Sequence, residues 1–359
     1  MRIAILSKRQ YMRKDVLDDC YGRLYELPRH LASRGHNILG VCLSYRPRDQ
    51  GLIRQEFDGK LTWYSYNLAR PDLYLSHTLT LLRDFQPELL LGCSDSPHLI
   101  LTATLARLLH LPYAADLYDN FESFGLSRMP GIRLLYRRVL HHAAKISCVS
   151  QALVDHVQTT CQPTGAVTAL ESTIDPGQFQ PKNRIACRQH FNLPMDAHLI
   201  GTAGALDYNR GINTLYGAFH QLAENDPCLH LILAGKANAD SPIPTHPNIH
   251  YLGELSHDQM PLFFNTLNVA VICIRDTAFG RYSFPQKAYE ILACNVPIVA
   301  AAVGSIGDLL QNYPYCWYEP DNIQDLTLKI ASQLTRPQPP DLLIPTWSDQ
   351  AEKLEQLLC

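Results

Sequence analysis

No C-x-x-C pair occurs among the 11 cysteines of this 359-residue chain, which run from Cys20 to Cys359. A zinc knuckle or a disulfide framework needs clustered spacing, so neither is expected, and the cysteines read as buried free thiols of a reducing compartment. No run of ~18 apolar residues is present, which excludes a membrane-spanning helix. The first apolar stretch, Ile3 to Leu6, is too short for a signal-peptide core and charges follow it, so a cytoplasmic location is expected. No excess of one charge exists either: 31 Lys and Arg face 34 Asp and Glu, a net −3. That balance argues against a protein that coats nucleic acid. No G-x-G-x-x-G follows the first apolar run, which counts against a nicotinamide-dependent dehydrogenase.

Hydrophobic residues make up 46% and charged residues 18% of the chain, enough for a large core. At ~150 residues per domain the length predicts two domains. Short apolar runs (Ile3–Leu6, Ile38–Leu43, Leu89–Leu91, Ile146–Val149) alternate with stretches of helical spacing such as Leu24, Leu27, Leu31 and Ala32. The alternation restarts at Leu199–Gly201 and continues through Leu229–Ala234, Val269–Ile274 and Ile298–Val303. Strand–helix alternation of this kind predicts an α/β fold with parallel, doubly wound sheets. A loop-rich passage from Glu171 to Pro181 separates the two series. The expected domains are therefore 1–175 and 176–340, with a final amphipathic helix in 341–359 that can pack back on the first domain. Residues 1–175 hold 20 basic and 17 acidic residues and the remainder 11 and 17, so a basic front half precedes an acidic back half.

Residues 279–304 read FGRYSFPQKAYEILACNVPIVAAAVG, predicting a loop, a helix and a buried strand. Ser283 suits an N-cap, Pro285 the first turn, and Asn295 with Pro297 the helix end. A helix N-terminus presents unpaired N–H groups that suit a phosphate. Lys287 and Glu290 stand three apart and share a face. There a cation can neutralise a diphosphate, and a carboxylate one turn deeper can accept from two vicinal ribose hydroxyls. An incidental surface Lys–Glu pair is the plainer reading of those two residues alone.

The wider spelling, with Pro285, Lys287, Glu290, Ala293, Pro297, Ile298, Val299 and Gly304, resembles the nucleotide-binding segment of GT-B glycosyltransferases of the retaining family 4 type. The likeness extends through Arg34-Gly35-His36, Phe85-Gln86-Pro87-Glu88, Cys148-Val149-Ser150, Ile174-Asp175 with Phe179, Gly204-Ala205-Leu206 with Arg210-Gly211, Leu252-Gly253-Glu254-Leu255 and Trp347. It implies two Rossmann-like domains facing a central cleft. It also implies transfer of a sugar, of the hexosyltransferase type, from a nucleotide-diphosphate donor to a hydroxyl acceptor with retention, in cell-surface glycan or polysaccharide synthesis. Under that resemblance Glu290 binds the donor ribose and Arg210 stands where the family has a diphosphate-binding lysine. Gly280, Arg281, Tyr282, Ser283 and Phe284 line the donor sugar and phosphate with backbone amides. Gly204 belongs to the phosphate loop, and Gly253 and Glu254 sit near the base. No cofactor and no metal are implied, the nucleotide sugar being a substrate.

Three positions depart from the family pattern: Tyr282 replaces a glutamate, Ala205 an arginine, and Tyr118 the histidine of a His-Asp pair. These departures keep open a homologue that binds a nucleotide sugar without transferring it, and an epimerase is a further alternative.

In the first domain, Asp116, Asp119 and Glu122 follow a predicted strand end, where open α/β sheets place ligands. They read either as acceptor-positioning groups, with Asp119 polarising a hydroxyl beside Tyr118, or as a solvated acidic loop. Lys8-Arg9 and Arg13-Lys14 follow the first strand and would meet an anionic acceptor, or lie in a solvated loop. The catalytic expectation is therefore Asp119, Arg210 and Lys287, and the acceptor-binding expectation Lys8, Arg9, Tyr118, Asp119 and Glu122. The acceptor would be a glycan or a lipid-linked molecule. Residues 128–145 carry Arg128, Arg133, Arg137, Arg138 and Lys145 with no acid. Together with Leu134, Leu135, Val139 and Leu140 they predict a basic amphipathic helix, packed on the sheet or lying peripherally on the inner face of a membrane.

Overall fold

The computed structural model describes residues 1–11 and 14–359, so the expectation for Arg13 lies outside the described residues. The chain forms two compact units, Met1–Thr173 with Pro345–Cys359, and Ile174–Ile344.

The first unit runs β1 (Arg2–Lys8), a short antiparallel pair β2 (Gln10–Tyr11) and β3 (Lys14–Asp15), α1 (Arg23–Ser33), β4 (Asn37–Ser44), β5 (Gly51–Glu56), β6 (Leu61–Asn67), α2 (Pro71–Phe85), β7 (Leu89–Cys93), α3 (Ser96–Leu109), β8 (Tyr113–Leu117), α4 (Pro130–His142), β9 (Lys145–Cys148), α5 (Gln151–Cys161) and β10 (Ala166–Ala169). Its eight-stranded sheet has the order β10-β9-β8-β7-β1-β4-β6-β5, parallel except for the edge strand β5. Both faces of its central strands are covered, so β1, β4, β7 and β8 are largely apolar. Ile3 and Ile5 of β1 point into one core with α1, while Ala4 and Leu6 point into the other with Tyr74 and Leu82 of α2 and Leu105 of α3. Gly40 is required under Trp63, because a Cβ there would lie 2.0 Å from the indole ring.

The second unit runs α6 (Arg184–His190), β11 (His198–Ala203), α7 (Ile212–Ala223), β12 (Leu229–Ala234), β13 (Ile249–Tyr251), α8 (Met260–Thr266), β14 (Val269–Ile272), α9 (Ala278–Tyr282), α10 (Lys287–Ala293), β15 (Ile298–Ala301), α11 (Gly304–Leu310), β16 (Trp317–Tyr318) and α12 (Ile323–Thr335). Its six strands are all parallel in the order β13-β12-β11-β14-β15-β16. The last helix, α13 (Trp347–Leu358), belongs to the first unit. Trp347, Ala351 and Leu354 complete the core against α1, and Glu355 accepts from Arg34 and pairs with His36. No helix among the described residues is long and apolar enough to cross a membrane.

A buried ion pair ties the first unit together. Arg23 of α1 and Asp116 of β8 are both essentially inaccessible, and the guanidinium donates to the two carboxylate oxygens at 3.0 and 2.7 Å. It also donates to the Leu170 carbonyl and the Ser172 hydroxyl, and the Ser147 hydroxyl donates to Asp116.

In the second unit, His230 Nδ1 and His250 Nε2 are 2.9 Å apart across β12 and β13. Burial makes both imidazoles harder to protonate than in the unfolded chain, and for His230 the neighbouring His250 and His246 add to it. As pH falls through about 6.5 the unfolded chain takes up protons first, so stability is full above that value and declines below it. Melting temperature should therefore drop between about pH 7.5 and pH 5.5, and His250→Asn should shrink the drop. An equal drop in that variant would dismiss the pair as the cause.

Candidate active site

In the second unit the strand order reverses between β11 and β14, and open α/β sheets place ligands beyond the carboxyl ends of the strands at such a reversal. Three glycines line the ends of β11, β12 and β13. Gly204 has φ +125°, and a Cβ on it would lie 2.7 Å from Lys287 Nζ. Gly235 has φ +116°, and its Cβ would lie 1.9 Å from the Gly204 carbonyl oxygen, so no other residue fits without moving the backbone. The Gly235 amide donates to the Gly253 carbonyl at 2.6 Å.

Lys287 opens α10, and its ammonium donates to the Ala203 carbonyl at the end of β11. Burial, and then the cation of Arg210, push its pKa down to about 8, while Glu290 and Asp207 act against the shift. Glu290, one turn further along α10, is 7% exposed, and burial pushes its carboxyl up to about 7 against the pull of Lys287. Arg210 ends the turn Tyr208–Arg210, which Asp207 caps by accepting from the Arg210 amide at 2.9 Å. Its guanidinium carbon lies 4.3 Å from the centre of the Phe279 ring, a cation–π contact. Gly204, Arg210, Lys287 and Glu290 are thus brought together. Two half-buried cations beside glycine-lined strand ends can hold an anion, and a buried carboxylate stands one turn behind them.

Asp207 and Gly235 are parts of this site that sequence reasoning missed. The spacing of Asp207 three residues before Arg210 was a readable capping signal. The clash that fixes Gly235 depends on a strand neighbour 31 residues away and carried none.

Residues 279–284 are not the expected loop. Ala278–Tyr282 is the short helix α9, capped by the Thr277 hydroxyl, and Ser283 ends it instead of opening the next. The helix expected from Ser283 and Pro285 begins at Lys287, with Gln286 at its N-cap. Several amides expected to line the donor are consequently spent within this turn. The Gly280 amide donates to Thr277 Oγ1, the Arg281 amide to the Thr277 carbonyl, and the Ser283 amide to the Phe279 carbonyl. The Arg281 side chain pairs with Asp276 at the surface. Tyr282 is partly exposed, and Phe284 is buried against Tyr289 with ring centres 4.9 Å apart. Glu254 is exposed just beyond Gly253.

In the first unit the reversal lies between β1 and β7, and the expected acceptor residues cluster beyond the ends of β1 and β8. Lys8 Nζ is 3.5 Å from Asp95 Oδ2, the Lys8 amide donates to Ser94 Oγ, and the Tyr118 hydroxyl donates to the Ser94 carbonyl. Asp119 is partly exposed and accepts from the Asn120 amide at 2.7 Å. Arg9 does not join them. It is 3% exposed, and its guanidinium is consumed by Asp15, Asp18, Ser65 and the Asp49 carbonyl, so it is a structural cation and not an acceptor contact. Glu122 is likewise committed, accepting two hydrogen bonds from Arg137 at 2.6 and 2.8 Å. Among the described residues no three His, Cys, Asp or Glu side chains are grouped to hold a metal ion.

Residues 23–176 match the family Glycosyltransferase Family 4, and residues 183–345 match Glycosyl transferases group 1. A D-inositol 3-phosphate glycosyltransferase of Stackebrandtia nassauensis is 26% identical over 58% of this chain and 48% of its own length. The chain thus spans about half the length of that curated relative. A human phosphatidylinositol N-acetylglucosaminyltransferase subunit is 22% identical over 93% of this chain and 71% of its own. Among solved structures, sucrose-phosphate synthase from Thermosynechococcus elongatus superposes with a TM-score of 0.69 at 15% identity, covering 99% of this chain and 94% of that one. Anabaena HepE in complex with UDP-glucose superposes with a TM-score of 0.65 at 16% identity, covering 99% and 95%. At these identities the structural likeness shows the fold, two doubly wound α/β units of the GT-B kind.

Proposed function

The chain belongs to the family 4 type of GT-B glycosyltransferases, and from that premise we propose that it moves a sugar from a nucleotide-diphosphate donor to a hydroxyl acceptor with retention. The observation that carries the reading is half-buried Lys287 with buried Glu290 one turn on in α10, beside Gly204 at the strand-order reversal of the second unit. Glu290 accepts hydrogen bonds from the ribose hydroxyls. Lys287 and Arg210 face the diphosphate, where negative charge grows as the sugar leaves. In the transfer the acceptor oxygen bonds to the anomeric carbon as the bond from that carbon to the diphosphate oxygen breaks. The diphosphate keeps the electron pair, and the acceptor proton passes to a phosphate oxygen on the same face. Asp119, at the end of β8, orients the acceptor hydroxyl. A donor of this class is supported by the UDP-glucose complex of HepE, and a glycan or lipid-linked acceptor in cell-surface glycan synthesis by the family resemblance.

Titration calorimetry with a panel of nucleoside diphosphates tests the site. Glu290→Gln should raise Kd roughly ten- to a hundredfold, the worth of about 1.5–3 kcal/mol for hydrogen bonds to a charged group. An unchanged Kd would remove Glu290 from the site. Binding without turnover over a broad acceptor set would favour a nucleotide-sugar-binding homologue instead.

A further inference from the structure

The turn that carries Arg210 is tied to the segment after β14 by two cation–π contacts of opposite sense. Arg210 of the turn lies over Phe279 of α9, and Arg275, three residues beyond β14, lies over Tyr208 of the turn. In both contacts the guanidinium carbon is 4.3 Å from the ring centre. Each segment thus gives one cation and receives one, and neither can slide without loosening both contacts.

Arg275 is itself fixed. Its Nε donates to both carboxylate oxygens of Asp321, at 3.2 and 3.1 Å. Asp321 lies in the loop between β16 and α12 and holds a left-handed φ of +60°, which residues other than glycine seldom adopt. The stem of Arg275 runs beside Gly211, where a Cβ would lie 3.1 Å from Arg275 Cγ. A glycine directly after Arg210 therefore leaves the room that the stack needs.

Stability does not account for this arrangement. Tyr208 is 49% exposed and the Asp321 side chain 47%, and ion pairs and ring contacts so open to water add little to folding. What the contacts fix is position. The Asp207 cap holds the backbone of the turn and not the guanidinium of Arg210. A long side chain loses rotamer freedom when it is held, so a cation placed in advance meets an anion at smaller entropic cost.

We propose that Arg275 is a positioning residue: anchored by Asp321 and acting through Tyr208, it sets the turn that directs Arg210 to the anion site. The inference rests on the reading of that site as the seat of a nucleotide diphosphate. Arg275 acts without touching the ligand.

Tyr208→Leu removes the stack without changing any charge, and Tyr208→Phe keeps the ring. In calorimetry with the nucleoside diphosphate that wild-type protein binds best, Tyr208→Leu should raise Kd about two- to fivefold, the worth of an exposed cation–π contact, and Tyr208→Phe should leave it unchanged. Arg275→Gln should weaken binding as well, and adding Tyr208→Leu to it should weaken binding no further, since both changes break one contact. A second measurement is the titration of Lys287, followed by NMR of protein labelled at the lysine Cε carbons and assigned with Lys287→Met. Arg210, Glu290, Asp207 and Cys273 act on this ammonium, and of these only Arg210 lowers its pKa. As the turn drifts in Tyr208→Leu, the midpoint near 8 should rise towards that of Arg210→Gln, a change that a loss of packing elsewhere would not produce. A Kd and a Lys287 midpoint both unchanged in Tyr208→Leu would overturn the proposal. Fully additive losses from Arg275→Gln and Tyr208→Leu would overturn it too, because Arg275 would then act without Tyr208. Wild-type protein that binds no nucleoside diphosphate would sink the donor reading instead, and the Lys287 titration would still decide whether Tyr208 and Arg275 hold Arg210 in place.

Discussion

Lys287→Met is expected to lower kcat/KM for the donor by about 10²–10³, the usual worth of one preorganised group facing developing charge. The ammonium is held at the end of β11 by the Ala203 carbonyl, and burial together with Arg210 has lowered its pKa to about 8. Little reorganisation is needed for it to meet a diphosphate, and a methionine of similar length keeps the packing. The fold should lose little. Glu290, already raised to about 7, takes up a proton in the variant and does not remain an unpaired buried charge. The same groups set a pH profile. Activity should rise as Glu290 ionises near 7 and fall as Lys287 loses its proton above about 8. Lys287→Met removes the alkaline limb and Glu290→Gln the acid one. Wild-type kcat/KM in Lys287→Met would exclude the lysine from the site.

Arg23→Ala is expected to cost about 3–5 kcal/mol of stability, because removing one member of a buried pair strands the other. Among the described residues Asp116 would keep the Ser147 hydroxyl, and the Leu170 carbonyl and Ser172 hydroxyl would lose the Arg23 donor. Urea unfolding followed by tryptophan fluorescence reports the loss, since Trp63 and Trp347 both lie in the first unit's core. A double variant, Arg23→Met with Asp116→Leu, should recover much of it, because apolar replacement of both charges removes the desolvation cost. If the double variant is no more stable than Arg23→Ala, the stranded carboxylate is not the source of the loss.

The fold class was legible in the sequence because it rests on local periodicity, whereas the candidate site was singled out only by the family resemblance. Strands buried on both faces appear as apolar runs, and Lys287 and Glu290 share a face through helical geometry alone. Less local features were hidden. Strand β5 is a polar edge with no fully buried position, so it lacks the apolar run that marks its neighbours. Strand β6 does alternate, with Leu61, Trp63 and Ser65 buried, and that period of two was a readable signal. Arg9 looks like an exposed loop cation until Asp15, Asp18 and Ser65 close around it. Arg23 and Asp116 are 93 residues apart, and nothing in either neighbourhood announces the other. The helix α9 is only five residues long and turns on one Thr277 cap, too short for any periodicity to reveal.

The return of α13 to the first unit orders events during synthesis. The ribosome makes β1 to β10 and then all of residues 174–344 before Trp347, Ala351 and Leu354 exist to close the core over α1. The second unit, continuous in the chain, can be finished while the first still waits with an open apolar face. In the growing chain the second unit therefore matures first, and the earlier-made half stays the more exposed to mispairing and to chaperones until its last helix arrives.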